Sequence, residues 1–301
     1  MRAYFGAITF IFGLVLGSFL NCTAIRITKK EDWVKGRSHC VTCGHELAAK
    51  DLIPLFSYFS TKGKCRYCGE KISKRYPITE LIFGLLTLIL YILEDVYGNV
   101  CVELFGGGDA LLIITPLILY IRDLILTGTL FVISLVDLDT LEIPDGCINL
   151  GIATWLITSP FAAIRYNVLN IDPNIQTFIA VPIISLPSYI NYLINHIGVA
   201  ALVLILILGI SLIMDKVLKK ESLGGGDIKL FVMLSLYLGG AGAYELILFS
   251  SIMGLIFAAV RKCINKNASK EFPFGPAIAA AGYILIIYSN QITKWYFNVF
   301  L

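Results

Sequence analysis

The chain has 301 residues, of which 57% are hydrophobic and only 15% are charged, against about 25% charged residues in an ordinary soluble domain. This composition excludes a soluble globular protein, a disordered chain and a small disulfide-rich protein, and it predicts a chain that crosses a lipid bilayer several times. The net charge of only +3 gives no indication of a nucleic-acid partner.

Apolar segments of transmembrane length recur throughout the chain. A helix needs about 20 apolar residues to cross the hydrocarbon core, so the pattern predicts an all-α polytopic membrane protein with about eight transmembrane helices. No cleavage site follows the first segment, which we interpret as an uncleaved span. The predicted spans cover residues 4–25, 78–96, 111–136 (interrupted by Arg122 and Asp123), 147–163, 197–214, 228–238, 244–260 and 277–288.

Two segments between the spans carry residues that break regular helices. Gly239 and Gly240 predict a break between the sixth and seventh spans. Residues 165–195 are semi-polar and contain three prolines, so we expect a loop with an interfacial helix rather than another span.

Positive charge is concentrated in three segments. Residues 26–76, 215–229 and 261–272 hold twenty of the 24 Lys and Arg residues. Short cytoplasmic loops are enriched in Lys and Arg, and eight spans with the N-terminus outside place all three segments on the same side. We therefore expect these segments to be cytoplasmic, together with the loop around residues 137–145.

Four of the eight cysteines form two C-x-x-C pairs in the first cytoplasmic segment. Cys40 and Cys43 are separated from Cys65 and Cys68 by 21 residues, a spacing typical of tetrahedral, structural Zn²⁺ sites. A glycine follows each pair and permits a tight turn. Two disulfides are the alternative, which a reducing cytoplasm disfavours. The alternative metal ligands are His39 and His45.

Two acidic clusters flank predicted spans, where a charge is costly and therefore a functional candidate. Asp137 ends the third span, and Asp227 follows three glycines at the start of the sixth, so both lie at cytoplasmic ends although 90 residues separate them. Two carboxylates that share one proton form the dyad of an aspartic protease, in which one activates water and the other polarises the scissile carbonyl. The glycines before Asp227 would let the backbone turn sharply.

Each acidic cluster also has a structural interpretation. Asp227 can cap a helix that begins at Ile228, and the first cluster can be a solvated loop with a turn at Pro144. Residues 106–109 repeat the letters Gly-Gly-Gly-Asp. The predicted topology places this repeat on the outer face, so we interpret it as an outer turn.

The order of these motifs resembles that of the type IV prepilin leader peptidases, also called prepilin peptidase/N-methyltransferases. The resemblance extends from residue 17 to about residue 282, and it is specific because all the motifs occur together in the same order. The matching segments are residues 17–21, 38–44, 51–54, 63–69, 72–77 with Glu80, Asp137, 143–145, 224–229 and 272–276.

The resemblance implies an intramembrane aspartic endopeptidase with Asp137 and Asp227 as the catalytic pair. It implies that the leader peptide of type IV prepilins or pseudopilins is cut at the cytoplasmic membrane face. It also implies that the new N-terminus is methylated with S-adenosylmethionine, although no glycine-rich nucleotide loop identifies residues that bind the donor. The supporting residues of the two catalytic motifs are Gly224, Gly226, Lys229, Pro144 and Asp145.

The predicted organisation has three segments in the bacterial inner membrane, with the N-terminus outside. Residues 1–27 form the first transmembrane helix, residues 28–77 a cytoplasmic zinc-binding module, and residues 78–301 a transmembrane peptidase core. The competing function is a zinc-regulated membrane transporter or sensor with the aspartates in an ion path. Its expected polar lining conflicts with a fifth span that is almost purely apolar.

Overall fold

The computed structural model describes residues 2–32, 36–95, 98, 110–168, 188–219, 223–264 and 272–300. These residues are mainly helical, and apart from helices they contain two isolated β-bridges. They belong to two compact units, Met1–Tyr97 and Gly98–Leu301. The three-segment division drawn from the sequence stays a prediction.

The first unit contains two long helices, α1 (Arg2–Thr28) and α3 (Arg75–Leu93). The segment between them has a 3-10 helix at Ala49–Asp51 and one short α-helix, α2 (Phe56–Ser60). Small residues bring α1 and α3 together. A Cβ atom at Gly17 would lie 2.9 Å from Cβ of Phe83, so the two backbones approach more closely than larger residues would allow.

The second unit is a bundle of five helices. Helix α7 packs on α6 and α8, and α4 packs on α5 and α8. Buried aliphatic and aromatic side chains from these helices form one continuous core. The five helices are α4 (Ala110–Thr140), α5 (Asp145–Val168), α6 (Ser188–Leu218), α7 (Gly225–Ile264) and α8 (Gly275–Phe300).

Six of the described helices are long and apolar enough to cross a membrane: α1, α3, α4, α5, α6 and α7. The apolar part of α8, Gly275–Ser289, is shorter. Helix α7 has 40 residues, or about 60 Å at 1.5 Å per residue, roughly twice the thickness of the hydrocarbon core.

Helix α7 is broken at Gly239, whose φ of 69° and ψ of −166° are not helical. The predicted break between the sixth and seventh spans is therefore confirmed. With α7 counted as two halves, the long helices of the described residues number eight, at the positions predicted from hydropathy. The protein is a multi-pass helical membrane protein.

Three details differ from the sequence prediction. Helix α5 continues to Val168 and α6 begins at Ser188, so both ends of the loop predicted over residues 165–195 belong to these long helices. Arg122 and Asp123 do not interrupt α4, because Arg122 donates two hydrogen bonds to the neighbouring carboxylate at 2.8 and 2.9 Å and the helix continues. Helix α4 also extends to Thr140, four residues beyond the predicted end. The Gly-Gly-Gly-Asp repeat at residues 106–109 and the centre of the predicted loop, residues 169–187, lie outside the described residues.

Candidate active site and metal centre

Asp137 lies in the last turn of α4 and is only 4% exposed. The backbone N–H of Gly275, the first residue of α8, donates a hydrogen bond to Oδ2 of Asp137 at 2.9 Å. A buried carboxylate without a donor would be costly. The start of α8 therefore holds one oxygen of Asp137 in place.

Asp227 is the third residue of α7, because this helix begins at Gly225. The interpretation of Asp227 as the cap of a helix that begins at Ile228 is therefore wrong in position. The carboxylate accepts a hydrogen bond from the backbone N–H of Gly224, which is the contact that an acidic residue at the third position makes in a capping box. Its side chain is thus oriented by the start of its own helix.

The two carboxylates lie close enough for their charges to interact. They meet because α4 ends where α7 and α8 begin, so one end of the bundle carries Asp137, Asp227 and Gly275. Helix N-termini present free N–H groups to anionic oxygens, and each carboxylate accepts one of them. The predicted meeting of two distant aspartates is observed.

The supporting motif residues surround this pair. Lys229 donates to Oδ1 of Asp145 at 2.6 Å and links α7 to the start of α5. The two side chains are 54% and 68% exposed, so water screens the pair and its contribution to stability is small. Pro144 precedes α5, where its carbonyl accepts the N–H of Cys147 at 3.1 Å.

Glycines at this site permit close packing. None of Gly224, Gly225 and Gly226 has a positive φ, and the sharp turn predicted before Asp227 stays a prediction. A Cβ atom at Gly226 would lie 2.9 Å from Cβ of Ile143. The α4–α5 connection can approach the start of α7 because residue 226 has no side chain.

The role of Gly275 was missed by reasoning from the sequence. A Cβ atom there would lie 2.7 Å from Oδ2 of Asp137, so any larger residue would crowd the carboxylate that its N–H binds. The only signal in the sequence was that residues 272–276 belong to the family pattern, which carries no information about a hydrogen bond to Asp137.

The four cysteines of the first unit form one cluster. Their sulfur atoms all lie within 4.8 Å of one another, and Sγ of Cys40 is 3.9 Å from Sγ of Cys68. Tetrahedral Zn²⁺ with bonds of about 2.3 Å requires sulfur atoms nearly 4 Å apart. The cluster therefore fits a structural zinc site, with Cys40, Cys43, Cys65 and Cys68 as its ligands.

Each C-x-x-C pair closes in the same way. The N–H of Gly44 donates to the carbonyl of Cys40, and the N–H of Gly69 donates to the carbonyl of Cys65, both at 2.9 Å. Both glycines have positive φ, 70° and 75°, which side chains disfavour. The tight turns predicted after the two pairs are confirmed.

The thiols of the cluster ionise unequally. Backbone N–H donors at Cys43 and Thr42 lower the pKa of the Cys40 thiol to about 6. At Cys68 the N–H of Glu70 lowers the pKa of the thiol. Desolvation and the three neighbouring thiols raise it by more than this, so that the pKa lies at about 12. One thiolate thus opposes the ionisation of the next, and a divalent cation would remove this conflict.

The two nearby histidines are outside the cluster. His45 stacks on Tyr67 with ring centroids 3.6 Å apart, and Nδ1 of His39 faces the carbonyl of Arg37 at 3.4 Å. The described cysteines carry free thiols. The four-cysteine arrangement is therefore favoured over both alternatives considered from the sequence.

Glu80 has a structural role in this unit. It is 7% exposed, and its Oε2 accepts the N–H of Leu55 at 2.8 Å. Leu55 has a φ of 59°, which is unusual for a residue with a branched side chain. The carboxylate at the start of α3 thus stabilises a strained turn.

The fold and these two sites define a polytopic helical membrane protein with a paired-carboxylate site and a four-cysteine zinc knuckle. Residues 11–93 match the Bacterial Peptidase A24 N-terminal domain. Residues 124–259 match the Type IV leader peptidase family. No solved structure matches the chain.

Curated relatives match along almost the whole chain. A prepilin leader peptidase/N-methyltransferase of Aeromonas salmonicida is 28% identical over 98% of this chain and 94% of the relative. The protein of the same description from Bacillus subtilis is 27% identical over 98% and 99%. A type 4 prepilin-like proteins leader peptide-processing enzyme of Escherichia coli O78:H11 is 30% identical over 91% and 90%.

The chain belongs to the type IV leader peptidase family. It is a multi-pass membrane enzyme of the leader peptidase class.

Proposed function

We propose that the chain cleaves the leader peptide of type IV prepilins or pseudopilins with Asp137 and Asp227 as its catalytic pair. The observation that carries this proposal is the meeting of the two carboxylates at one end of the helix bundle, each held by a backbone N–H. The cut is made at the cytoplasmic face of the bacterial inner membrane, where the positive-inside rule places this end.

The pair acts as an acid and a base that share one proton. The ionised carboxylate takes a proton from water, and the resulting hydroxide attacks the scissile carbonyl carbon. The protonated carboxyl donates its proton to the carbonyl oxygen, which gives a geminal diol. As the carbon–nitrogen bond breaks, the carboxyl that took the proton from water gives it to the amine nitrogen, and the other carboxylate takes a proton from the diol as the new carboxyl group forms. Asp137 is buried whereas Asp227 is half-exposed, so water can reach the pair from the side of Asp227.

N-methylation of the new N-terminus uses S-adenosylmethionine, which supplies a methyl group activated by a positively charged sulfur. The first unit has a cavity of about 470 Å³ whose lining fits this donor. Tyr58 and Tyr67 offer aromatic rings for an adenine, and Glu31 and Glu70 offer carboxylates for hydroxyl and amino groups. These four residues would hold the donor.

A zinc-regulated transporter or sensor is not favoured. The family is a peptidase family, and Asp137 and Asp227 meet at one end of the bundle. No observation therefore supports the function of a transporter or sensor.

The test is cleavage of a prepilin in liposomes by the wild type, Asp137→Asn and Asp227→Asn. Asparagine keeps the shape of the side chain but cannot transfer the proton, so we expect each variant to lose at least about a thousandfold in kcat. Mass spectrometry of the product measures cleavage and methylation separately.

The matched control is Asp139→Asn, an exposed aspartate on the same helix end, which is expected to cleave at the wild-type rate. Full activity of either dyad variant, with loss in the control, would show that the wrong carboxylate was chosen. Zinc content and a melting curve establish that each variant is folded.

A further inference from the structure

His196 of α6 contacts α7 just before its break. Its Nδ1 lies 2.7 Å from the carbonyl oxygen of Leu236. A carbonyl oxygen can only accept, so the imidazole carries a proton on Nδ1 and donates it. Carbonyl groups in the last turn of a helix lack regular partners, and His196 supplies one for the first half of α7.

The imidazole also lies against the break itself. A Cβ atom at Gly239 would be 3.3 Å from Cε1 of His196, and Gly239 has a positive φ of 69°. The other face of the imidazole is covered by Tyr192, whose ring centroid is 4.1 Å away. The ring is therefore fixed between its own helix and the backbone of α7.

A second contact holds the same turn of α7. Tyr237 donates a hydrogen bond to the carbonyl of Gly151 in α5 at 2.6 Å, and the guanidinium of Arg122 in α4 lies 5.6 Å from the centre of the tyrosine ring. Side chains from α4 and α6 and a backbone carbonyl from α5 thus converge where the first half of α7 ends. Such polar contacts among membrane helices are costly to bury and are functional candidates.

The other end of this half-helix carries Asp227. Nine residues separate Asp227 from Leu236, or about 14 Å along the axis. The half-helix is a rigid element, so a small rotation at the break would displace the carboxylate relative to Asp137. A displacement of about 1 Å can reduce a rate by roughly a hundredfold.

We propose that His196 is a positioning residue for the proteolytic reaction: its hydrogen bond to Leu236 fixes the break at Gly239 and thereby the placement of Asp227. This inference rests on the proposed function of the aspartate pair. The contacts of His196 with Leu236 and Gly239 are structural observations, so their effect on α7 can be tested separately from the reaction.

The first experiment compares His196→Ala and His196→Asn in prepilin cleavage. The amide nitrogen of asparagine occupies nearly the position of Nδ1, so it keeps the donor. We expect His196→Ala to lower kcat roughly tenfold with KM unchanged within about twofold, and His196→Asn to keep at least about half of the wild-type kcat. Should the alanine variant fail to fold, His196→Gln replaces it, because its nitrogen reaches the position of Nε2 instead.

The matched control is Tyr189→Phe on the same helix. This change removes a hydrogen bond between Tyr189 and Ser159 of α5, 3.1 Å long, without touching α7. The control is expected to keep the wild-type kcat. A loss of kcat in Tyr189→Phe as large as in His196→Ala would overturn the proposal, because any weakened helix contact would then suffice.

Hydrogen exchange provides a readout that needs no substrate. We expect the amides of residues 229–238 to exchange faster in His196→Ala than in the wild type or His196→Asn. Unchanged exchange and unchanged kcat in His196→Ala, or equal losses in the alanine and asparagine variants, would overturn the proposal. If the wild type cuts no prepilin, the proposed function fails, and accelerated exchange alone would still support the positioning role.

Discussion

Backbone hydrogen-bond donors and glycine residues determine the geometry around the two aspartates. Gly275 donates its N–H to Asp137 and leaves room for the carboxylate, while Gly226 lets the α4–α5 connection reach the start of α7. Added methyl groups at such positions force backbone shifts that cost about 1–3 kcal/mol. The effect on activity depends on whether the shift reaches a reacting group.

Gly226→Ala is expected to lower kcat/KM for leader cleavage by about tenfold. The new Cβ would lie 2.9 Å from Cβ of Ile143, so the backbone at residue 226 would have to shift, and Asp227 is the next residue. Gly225→Ala is the control, since a Cβ there meets nothing within 4 Å. Steady-state kinetics of both variants in the same liposomes test this. Equal activity of the two variants would contradict it.

At the scale of elements, the cysteine module differs from the helices around it. Between residues 36 and 74, Cys65 is the one buried side chain, so this segment has almost no hydrophobic core. Its regular structure consists of two similar turns, each beside an isolated β-bridge, a 3-10 helix at Ala49–Asp51 and the short helix α2. A module of this kind depends on its metal for folding energy.

Cys43→Ser is expected to lose stoichiometric zinc and to expose residues 36–74 to protease, because three thiolates bind the metal less tightly and the segment has almost no buried apolar side chains. The variant should also lose binding of S-adenosylhomocysteine, since Cys40 and Cys65 line the proposed donor cavity. Atomic absorption, limited proteolysis and calorimetry measure the three effects.

Cys263→Ser is the control for this prediction, because Cys263 is exposed and lies outside the cluster. It is expected to keep its zinc, its protease resistance and its binding of S-adenosylhomocysteine. Retention of zinc and donor binding by Cys43→Ser would exclude the structural role proposed for the metal and place the donor elsewhere.

At the scale of the whole molecule, the membrane decides which helix ends face the cytoplasm. Lys and Arg are concentrated near residues 26–76, 215–229 and 261–272, and such segments stay on the cytoplasmic side. With eight crossings, the proposed orientation would place the end of α4 and the starts of α5, α7 and α8 in the cytoplasm. Cleavage of the leader peptide at the cytoplasmic face, as proposed above, requires this orientation.

Labelling with a membrane-impermeant maleimide tests the orientation. Asp139→Cys is expected to react only in inverted vesicles, and Asp95→Cys only in intact cells, because the two exposed positions lie on opposite sides in the predicted topology. Mass spectrometry identifies the labelled peptides, so the native cysteines do not interfere. The reverse pattern would place Asp137 and Asp227 outside the cell.

Hydropathy, spacing and motif order were enough to predict the long apolar helices, the cluster of four cysteines and the meeting of the two aspartates. Lipid requires continuous apolar helices, tetrahedral zinc requires thiols at short spacing, and both are local properties that a sequence displays directly. The break at Gly239 was predicted for the same reason, since two adjacent glycines are a local signal.

Only the tertiary structure decided which groups hold these residues. The contact of Gly275 with Asp137 joins positions 138 residues apart, and that of His196 with Leu236 joins helices α6 and α7. A backbone N–H or carbonyl exists at almost every residue, so no side-chain pattern marks the one that is used. Helix packing selects it, and through that selection the bundle gives two ordinary aspartates their arrangement as a pair.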